Sequence, residues 1–324
     1  MCTAIAFQSK DHYFGRNLDF ELSYQERVII TPRSYPFLFR HVQELPNHYA
    51  MIGMGIISKN YPLYFDATNE KGLSMAGLNF PGNAAYFPCA KNKTNVASFE
   101  LIPWILGQCQ NISEVTVLLE NLNIADTRFS EAYPNSNLHW IIADKTGAIT
   151  VEQTASGLHI YDNPVGVLTN NPTFDYHLYN LSNYLNLTSD EVSSRFSGKY
   201  QLQPYSRGMG AIGLPGDLSS ASRFVRAAFT KLNSRNGPSE SESISQFFHI
   251  LGSVAQQNGC VKVGELYEKT IYSSCCNTDK GIYYYTTYEN SQITAVSLFQ
   301  ENLDTKHLIQ YPLITEQQIK WINQ

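Results

Sequence analysis

Cys2 is preceded only by Met1 and followed by small residues in MCTAIAF, a context in which the initiator methionine is normally trimmed. Removal would leave a cysteine carrying its own free α-amine. One residue would then hold both nucleophile and base, because an α-amino group titrates near about 8 and is partly neutral at physiological pH, able to take the thiol proton. That chemistry needs no histidine. The remaining cysteines, at 89, 109, 260, 275 and 276, form no CxxC pair and have no histidines at zinc-ligand spacing. They read as small buried thiols, with no metal site.

Two further charged residues can reach Cys2 through a hairpin. CTAIAFQ and HYFGRNLDF read as strands joined at residues 9–11, so residues 16–19 return beside residue 2. Arg16 there would favour a thiolate, and Asp19 would accept hydrogen bonds from a terminal ammonium. Their spacing is odd, so a regular strand points them to opposite faces, and bringing both onto Cys2 requires a bulge or a strand end. Arg223 lies in SSASRFVR, where Ser219 or Ser220 would cap a helix. A cation in a first turn opposes the helix dipole, which either marks a compensating role at a site or means that the helix starts earlier.

The elements that would position these residues can be read from periodicity. RVIITPR, AMIGMGII, PLYFDATN and GLSMAGLNF follow the hairpin as strands. SFELIPWILGQ and SEVTVLLENL switch to helical period, the second with Ser113 as N-cap. Strands return with LHWIIADKTGAITVEQT, turned on residues 144–147, then GLHIYDN and VGVLTNNP. Helices follow at FDYHLYNLSNY, SSASRFVRAAFTKLN and ISQFFHILGSVA, with NSRNGPSESES (233–243) as a surface loop. TIYSSCC, GIYYYTTY and SQITAVSLF close the chain as strands. Hairpins with two batches of inserted helices predict an α+β fold of four layers, αββα, in which two stacked antiparallel sheets lie between helices.

Composition limits the function. Of 324 residues, 43% are hydrophobic and 16% charged, which suits a globular chain; the length leaves one or two domains open, and without a visible linker one domain over 2–324 is expected. A net charge of -5 without a basic patch argues against nucleic acid. The N-terminus lacks the basic and apolar regions of a signal peptide, and no run of 18 apolar residues would span a membrane, so a cytoplasmic protein without a membrane partner is expected. In that compartment the glycosylation sequons at Asn92, Asn111, Asn180 and Asn186 stay unused.

Six ordered segments carry a family resemblance: MCTAIAF, FGRNLDF, NEKGLSMAGLNFPG, GVLTNNPTFDYHL, GLPGDLSSASRFVRAAF and TIYSSCCNTDKGIYYYTTYEN. Together they resemble the choloylglycine hydrolase family, essentially from end to end. The resemblance implies an N-terminal nucleophile fold, commonly a homotetramer, that cleaves the amide bond of glycine- and taurine-conjugated bile acids without a cofactor. It implies Cys2 as nucleophile with Arg16 and Asp19 beside it, and Arg223 from the SRF motif. Asn79 of the GLNF motif and Asn170 of the LTN motif would bracket the oxyanion, with Asn171 an alternative to Asn170. By analogy, loops around Leu18, Tyr24, Tyr61, Phe65, Phe129 and Tyr133 would form the apolar wall for a steroid nucleus.

Three other readings remain at this level. Penicillin V acylase is a relative that would share Cys2, Arg16, Asp19 and Arg223, although such acylases tend to carry tyrosine where this chain has Asn79. A Cys–His hydrolase would use His139 or His177. A non-catalytic bile-acid-binding protein would bind ligand and form no product.

Overall fold

A computed structural model of the chain describes residues 1–323. The N-terminal hairpin forms as expected. β1 (Cys2–Gln8) and β2 (His12–Phe20) pair antiparallel with Cys2 opposite Leu18 and Ala4 opposite Arg16. β3 (Arg27–Thr31), β4 (Met51–Ser58), β5 (Tyr61–Asn69) and β6 (Ser74–Asn79) follow. A parallel pair, β7 (Thr94–Ala97) and β8 (Leu122–Ala125), brackets helices α1 (Leu101–Leu106) and α2 (Ile112–Leu119). Next come β9 (Leu138–Asp144), β10 (Gly147–Thr154), β11 (Gly157–Asp162) and β12 (Val167–Leu168). Three helices follow, α3 (Phe174–Asn180), α4 (Ser220–Asn233) and α5 (Glu240–Gly252). β13 (Val261–Val263), β14 (Leu266–Asn277), β15 (Ile282–Thr287), β16 (Thr294–Ser297) and β17 (Ile309–Pro312) complete the chain.

Two antiparallel sheets stack as expected. The first runs β12-β1-β2-β14-β15-β16, with β13 pairing on β14; the second runs β11-β10-β9-β6-β5-β4-β3-β17. α4 and α5 cover the outer face of the first sheet, and α1 and α2 cover the second, completing αββα. Both faces of the central strands are thereby buried, which is why β1 and β2 are buried at nearly every position rather than at alternate ones, polar His12, Arg16, Asn17 and Asp19 included. β2 and β14 approach so closely at Gly15 that a Cβ there would lie 2.0 Å from the Ser274 carbonyl oxygen. Only glycine fits beside Arg16.

Several boundaries differ from expectation. Asn111, not Ser113, caps α2 by accepting from the Glu114 amide, because an asparagine one residue before the first helical position offers the same acceptor. The stretch 233–243 is not all loop: Ser239 and Glu242 form a reciprocal capping box that starts α5 at Glu240. Cys89 and Cys260 are exposed, whereas Cys2, Cys109, Cys275 and Cys276 are buried. β7, β8, β13 and β17 are short pieces that periodicity did not reveal.

Candidate active site

The odd spacing of Arg16 and Asp19 is met without a bulge in β2. Even positions of β2 face the second sheet: Arg16 Nη1 donates to the Gly77 carbonyl at 2.5 Å and to the Phe65 carbonyl at 3.1 Å. Odd positions face the helices, as Asn17 shows by donating to the Leu251 carbonyl of α5 at 2.9 Å. Cys2, paired with Leu18, shares the Arg16 face. Asp19 lies on the opposite face, where its Oδ1 accepts from the Thr270 hydroxyl at 2.6 Å. Arg16 therefore shares the face of the Cys2 side chain, whereas the Asp19 carboxylate lies on the other face and bonds Thr270, not the nitrogen of residue 2, which Asn170 Oδ1 accepts from. A register shift does occur, but in β14 between Thr270 and Tyr272, where the strand passes Asp19 and Leu18.

α4 delivers the third charge. Ser219 caps the helix, one of the two expected positions, and Arg223 lies in its first turn, fully buried. The unfavourable dipole is offset by a ring of acceptors. Arg223 Nη1 donates to the Cys2 carbonyl (2.5 Å) and Thr3 Oγ1 (2.7 Å), Nη2 to Asn170 Oδ1 (2.7 Å), and Nε to the Leu218 carbonyl (3.0 Å). Asn170 Oδ1 also accepts from the Cys2 backbone nitrogen at 2.8 Å. Two donors on one atom fix the orientation of that amide, since the reverse assignment would set N–H against N–H. Asn170 Nδ2 donates to the Asn79 carbonyl at 2.7 Å, joining two of the expected residues. Asn171 instead turns toward Pro81 and Asn83.

Burial sets the electrostatics. It pushes Asp19 above the usual carboxylate range, against the pull of Arg223, the terminal ammonium, Thr270 and Arg16. Burial also opposes the Arg16 charge, but Cys2, Tyr272, Asp66 and Asp19 hold it above its ordinary value. Arg16 Nη2 and Asp19 Oδ2 have no partner among the described residues. His139 and His177 are not hydrogen-bonded to Cys2. His139 contacts Glu152 and the Thr169 carbonyl, and His177 contacts the Asn170 carbonyl. Burial lowers His177 to about 4, so it stays neutral near pH 7.

Cys2 opens onto a cavity of about 380 Å³. Leu18, Tyr24, Phe65, Phe129 and Tyr133 line it together with Arg16 and Asn79. Tyr61 does not: it packs behind the wall against Phe37, Phe99 and Phe129. Lining residues that sequence reasoning missed include Phe20, Ile56, Leu63, Phe99, Ile102 and Trp140. Phe99 and Ile102 belong to a helical pattern whose apolar period is indistinguishable from core, and no sequence signal separates them from it. Trp140 Nε1 is buried without a partner among the described residues and gives the apolar wall a spare donor. The described residues contain no cluster of His, Cys, Asp and Glu suited to a metal ion, and no helix long and apolar enough to cross a membrane.

A thiol facing an apolar cavity, with its own backbone nitrogen held by a side-chain acceptor, is suited to acyl transfer through a thioester. Residues 2–311 match the linear amide C–N hydrolases, choloylglycine hydrolase family, and the chain belongs to that family of amide-bond hydrolases with the N-terminal nucleophile fold. A bile salt hydrolase/transferase of Lactiplantibacillus plantarum is 58% identical over 324 residues, 100% of both chains. Another, from Clostridium perfringens, is 43% identical over 96% of each. Among solved structures, a variant of the conjugated bile acid hydrolase of Clostridium perfringens superposes with a TM-score of 0.92 at 41% identity, covering 100% of both chains. Penicillin V acylase of Agrobacterium tumefaciens has a TM-score of 0.75 at 16% identity, over 96% of this chain and 91% of that one, a likeness of fold alone.

Proposed function

We propose that this chain, once Met1 is removed, is a bile salt hydrolase that cleaves glycine- and taurine-conjugated bile acids through Cys2. The supporting observation is the joint setting of residue 2, whose thiol faces the aromatic cavity while its nitrogen rests on Asn170 Oδ1. The freed α-amine takes the thiol proton, and the thiolate attacks the amide carbonyl carbon. Negative charge collects on the carbonyl oxygen, which the Asn79 side chain stabilises by donation. The α-ammonium then gives its proton to the amide nitrogen, the C–N bond breaks, and glycine or taurine leaves. Water, deprotonated by the same amine, attacks the thioester, and the bile acid departs as the thiol is restored.

Asn170 acts mainly as the acceptor that orients the α-amine, with one Nδ2 hydrogen left over for the oxyanion. Asn79→Ala is expected to lower kcat by about 10²–10³ with little change in KM, as for loss of an oxyanion donor. Steady-state kinetics on glycocholate check this. An unchanged kcat would move the oxyanion elsewhere.

The test of the whole reading combines intact-mass analysis with turnover of glycocholate, taurocholate and penicillin V. Loss of Met1 with release of glycine or taurine is expected; faster penicillin V cleavage would overturn the substrate assignment. We further propose a homotetramer, because Tyr179 at the end of α3 and Leu185, Phe196 and Tyr205 in the segment leading to α4 are exposed and invite cover by a second copy. Sedimentation that returns a monomer would refute it. The cytoplasm is the proposed compartment, supported by six cysteines that are all unpaired.

A further inference from the structure

Glu268, on β14, carries no role in the scheme above, yet its side chain is almost fully buried beside Asp19 and Arg223. A buried carboxylate is costly unless it is paired. Its partner is the terminal ammonium of Met1, which also donates to the Asp19 carbonyl at 2.7 Å, while the Met1 carbonyl accepts from the Asp19 amide at 2.9 Å. Met1 itself lines the cavity that contains Cys2. The fold has therefore built an ammonium seat one residue upstream of the nucleophile, continuous with the catalytic cavity.

We propose that Glu268 is a positioning residue of the mature enzyme: with Met1 gone, its carboxylate faces the α-amine of Cys2 and helps to hold and place the proton that this amine carries between thiol and leaving group. This rests on the reading that Met1 is removed. Two carboxylates, Asp19 and Glu268, then stand on the side of the amine, opposed by two guanidiniums. Neither arginine is a direct partner of Glu268: Arg223 is committed to Cys2, Thr3, Asn170 and Leu218, and Arg16 to the second sheet. The charged and titratable groups facing the amine and the thiol are Asp19 and Arg16 from β2, Arg223 from α4 and Glu268 from β14. Tyr24 approaches from the turn after β2, and Tyr272 and Asp66 lie behind Arg16. His177, behind Asn170, remains neutral through the range of interest. Lys262 and Lys269, near Glu268 in sequence, pair instead with Glu265 and Glu289.

The sign of the effect follows from charge. A neighbouring carboxylate favours the ammonium and disfavours the thiolate, so neutralising it makes both groups of Cys2 give up their protons at lower pH. In the Met1-free protein, Glu268→Gln should move the acid limb of kcat/KM for glycocholate down by about one pH unit, the lower end for a nearby charge. The pH dependence of Cys2 alkylation by iodoacetamide should move the same way. Peptide masses separate that reaction from alkylation of the exposed Cys89 and Cys260. Glu268→Asp, which withdraws the carboxylate by one methylene, should give a smaller shift in the same direction, and it carries the test if Glu268→Gln does not fold. A lower denaturation midpoint with unmoved profiles would mean a merely structural role and overturn the proposal. Should the wild type turn over no conjugate, the substrate reading fails, while the alkylation profiles still decide the role of Glu268.

Discussion

Replacing Cys2 by alanine is expected to reduce amide hydrolysis by about 10⁶-fold, the scale on which removal of a catalytic nucleophile acts. The loss should fall on kcat, because the wall of the cavity is untouched: Leu18, Tyr24, Phe65, Phe129 and Tyr133 come from β2, β5 and the loops beyond and do not depend on the sulfur. Calorimetry with the deconjugated bile acid should therefore return an affinity close to that of wild type. Glycine release by Cys2→Ala at the wild-type rate would show that Cys2 is not the nucleophile. Cys2→Ser is the sharper companion. It keeps a nucleophile of similar size, with the nitrogen of residue 2 still on Asn170, but replaces a soft thiolate with a hydroxyl that ionises far less readily, so activity should fall nearly as far. A retained Met1 should silence the enzyme as fully as either substitution, since an amide nitrogen cannot accept the thiol proton.

The chemistry of this site was legible in the chain largely because its elements are local. Cys2, Arg16 and Asp19 sit on one hairpin whose strands and turn are marked by ordinary patterning, so their proximity could be deduced without any knowledge of the rest. Parity was right that positions 16 and 19 point to opposite faces: Arg16 shares the face of the Cys2 side chain, and the Asp19 carboxylate bonds Thr270 on the other. Arg223 was only half legible: its place near a capped first turn fitted either a site or an earlier helix start, and it was the SRF motif of the family resemblance that singled it out. The cavity was less so. Phe99, Ile102 and Trp140 follow the same periods as the core behind them, and Tyr61 differs from its neighbours only in packing one layer deeper. Glu268 was invisible for another reason. It sits near the start of a long strand, and its meaning comes from β14 lying beside β2, a pairing between residues some 250 positions apart that no local pattern encodes.

Arg223→Met should be the most damaging substitution to both stability and activity outside Cys2. The guanidinium satisfies four acceptors at once and stands among buried carboxylates, so a side chain of similar length without charge leaves the Cys2 carbonyl, Thr3, Asn170 and Leu218 short of donors and Asp19 short of compensation. Removing one partner from a buried charge pair costs about 3–5 kcal/mol, which a guanidinium chloride unfolding curve would report as a clear fall in midpoint. Burial lowers the tendency of Arg223 to hold its proton, yet arginine remains charged in proteins, so this charge is permanent across the working pH range. Arg223→Lys separates the two effects. Its ammonium restores the charge beside Asp19 and should recover much of the stability, but three donors on a point charge cannot reproduce a planar fork that grips Cys2, Thr3 and Asn170 together. Asn170 would lose the donor that fixes its amide, the α-amine would lose a fixed acceptor, and kcat should stay low while the midpoint recovers. If Arg223→Met unfolds at the wild-type midpoint, the ring of acceptors does not hold the nucleophile in place, and residue 2 must be fixed by the β1–β2 hairpin alone.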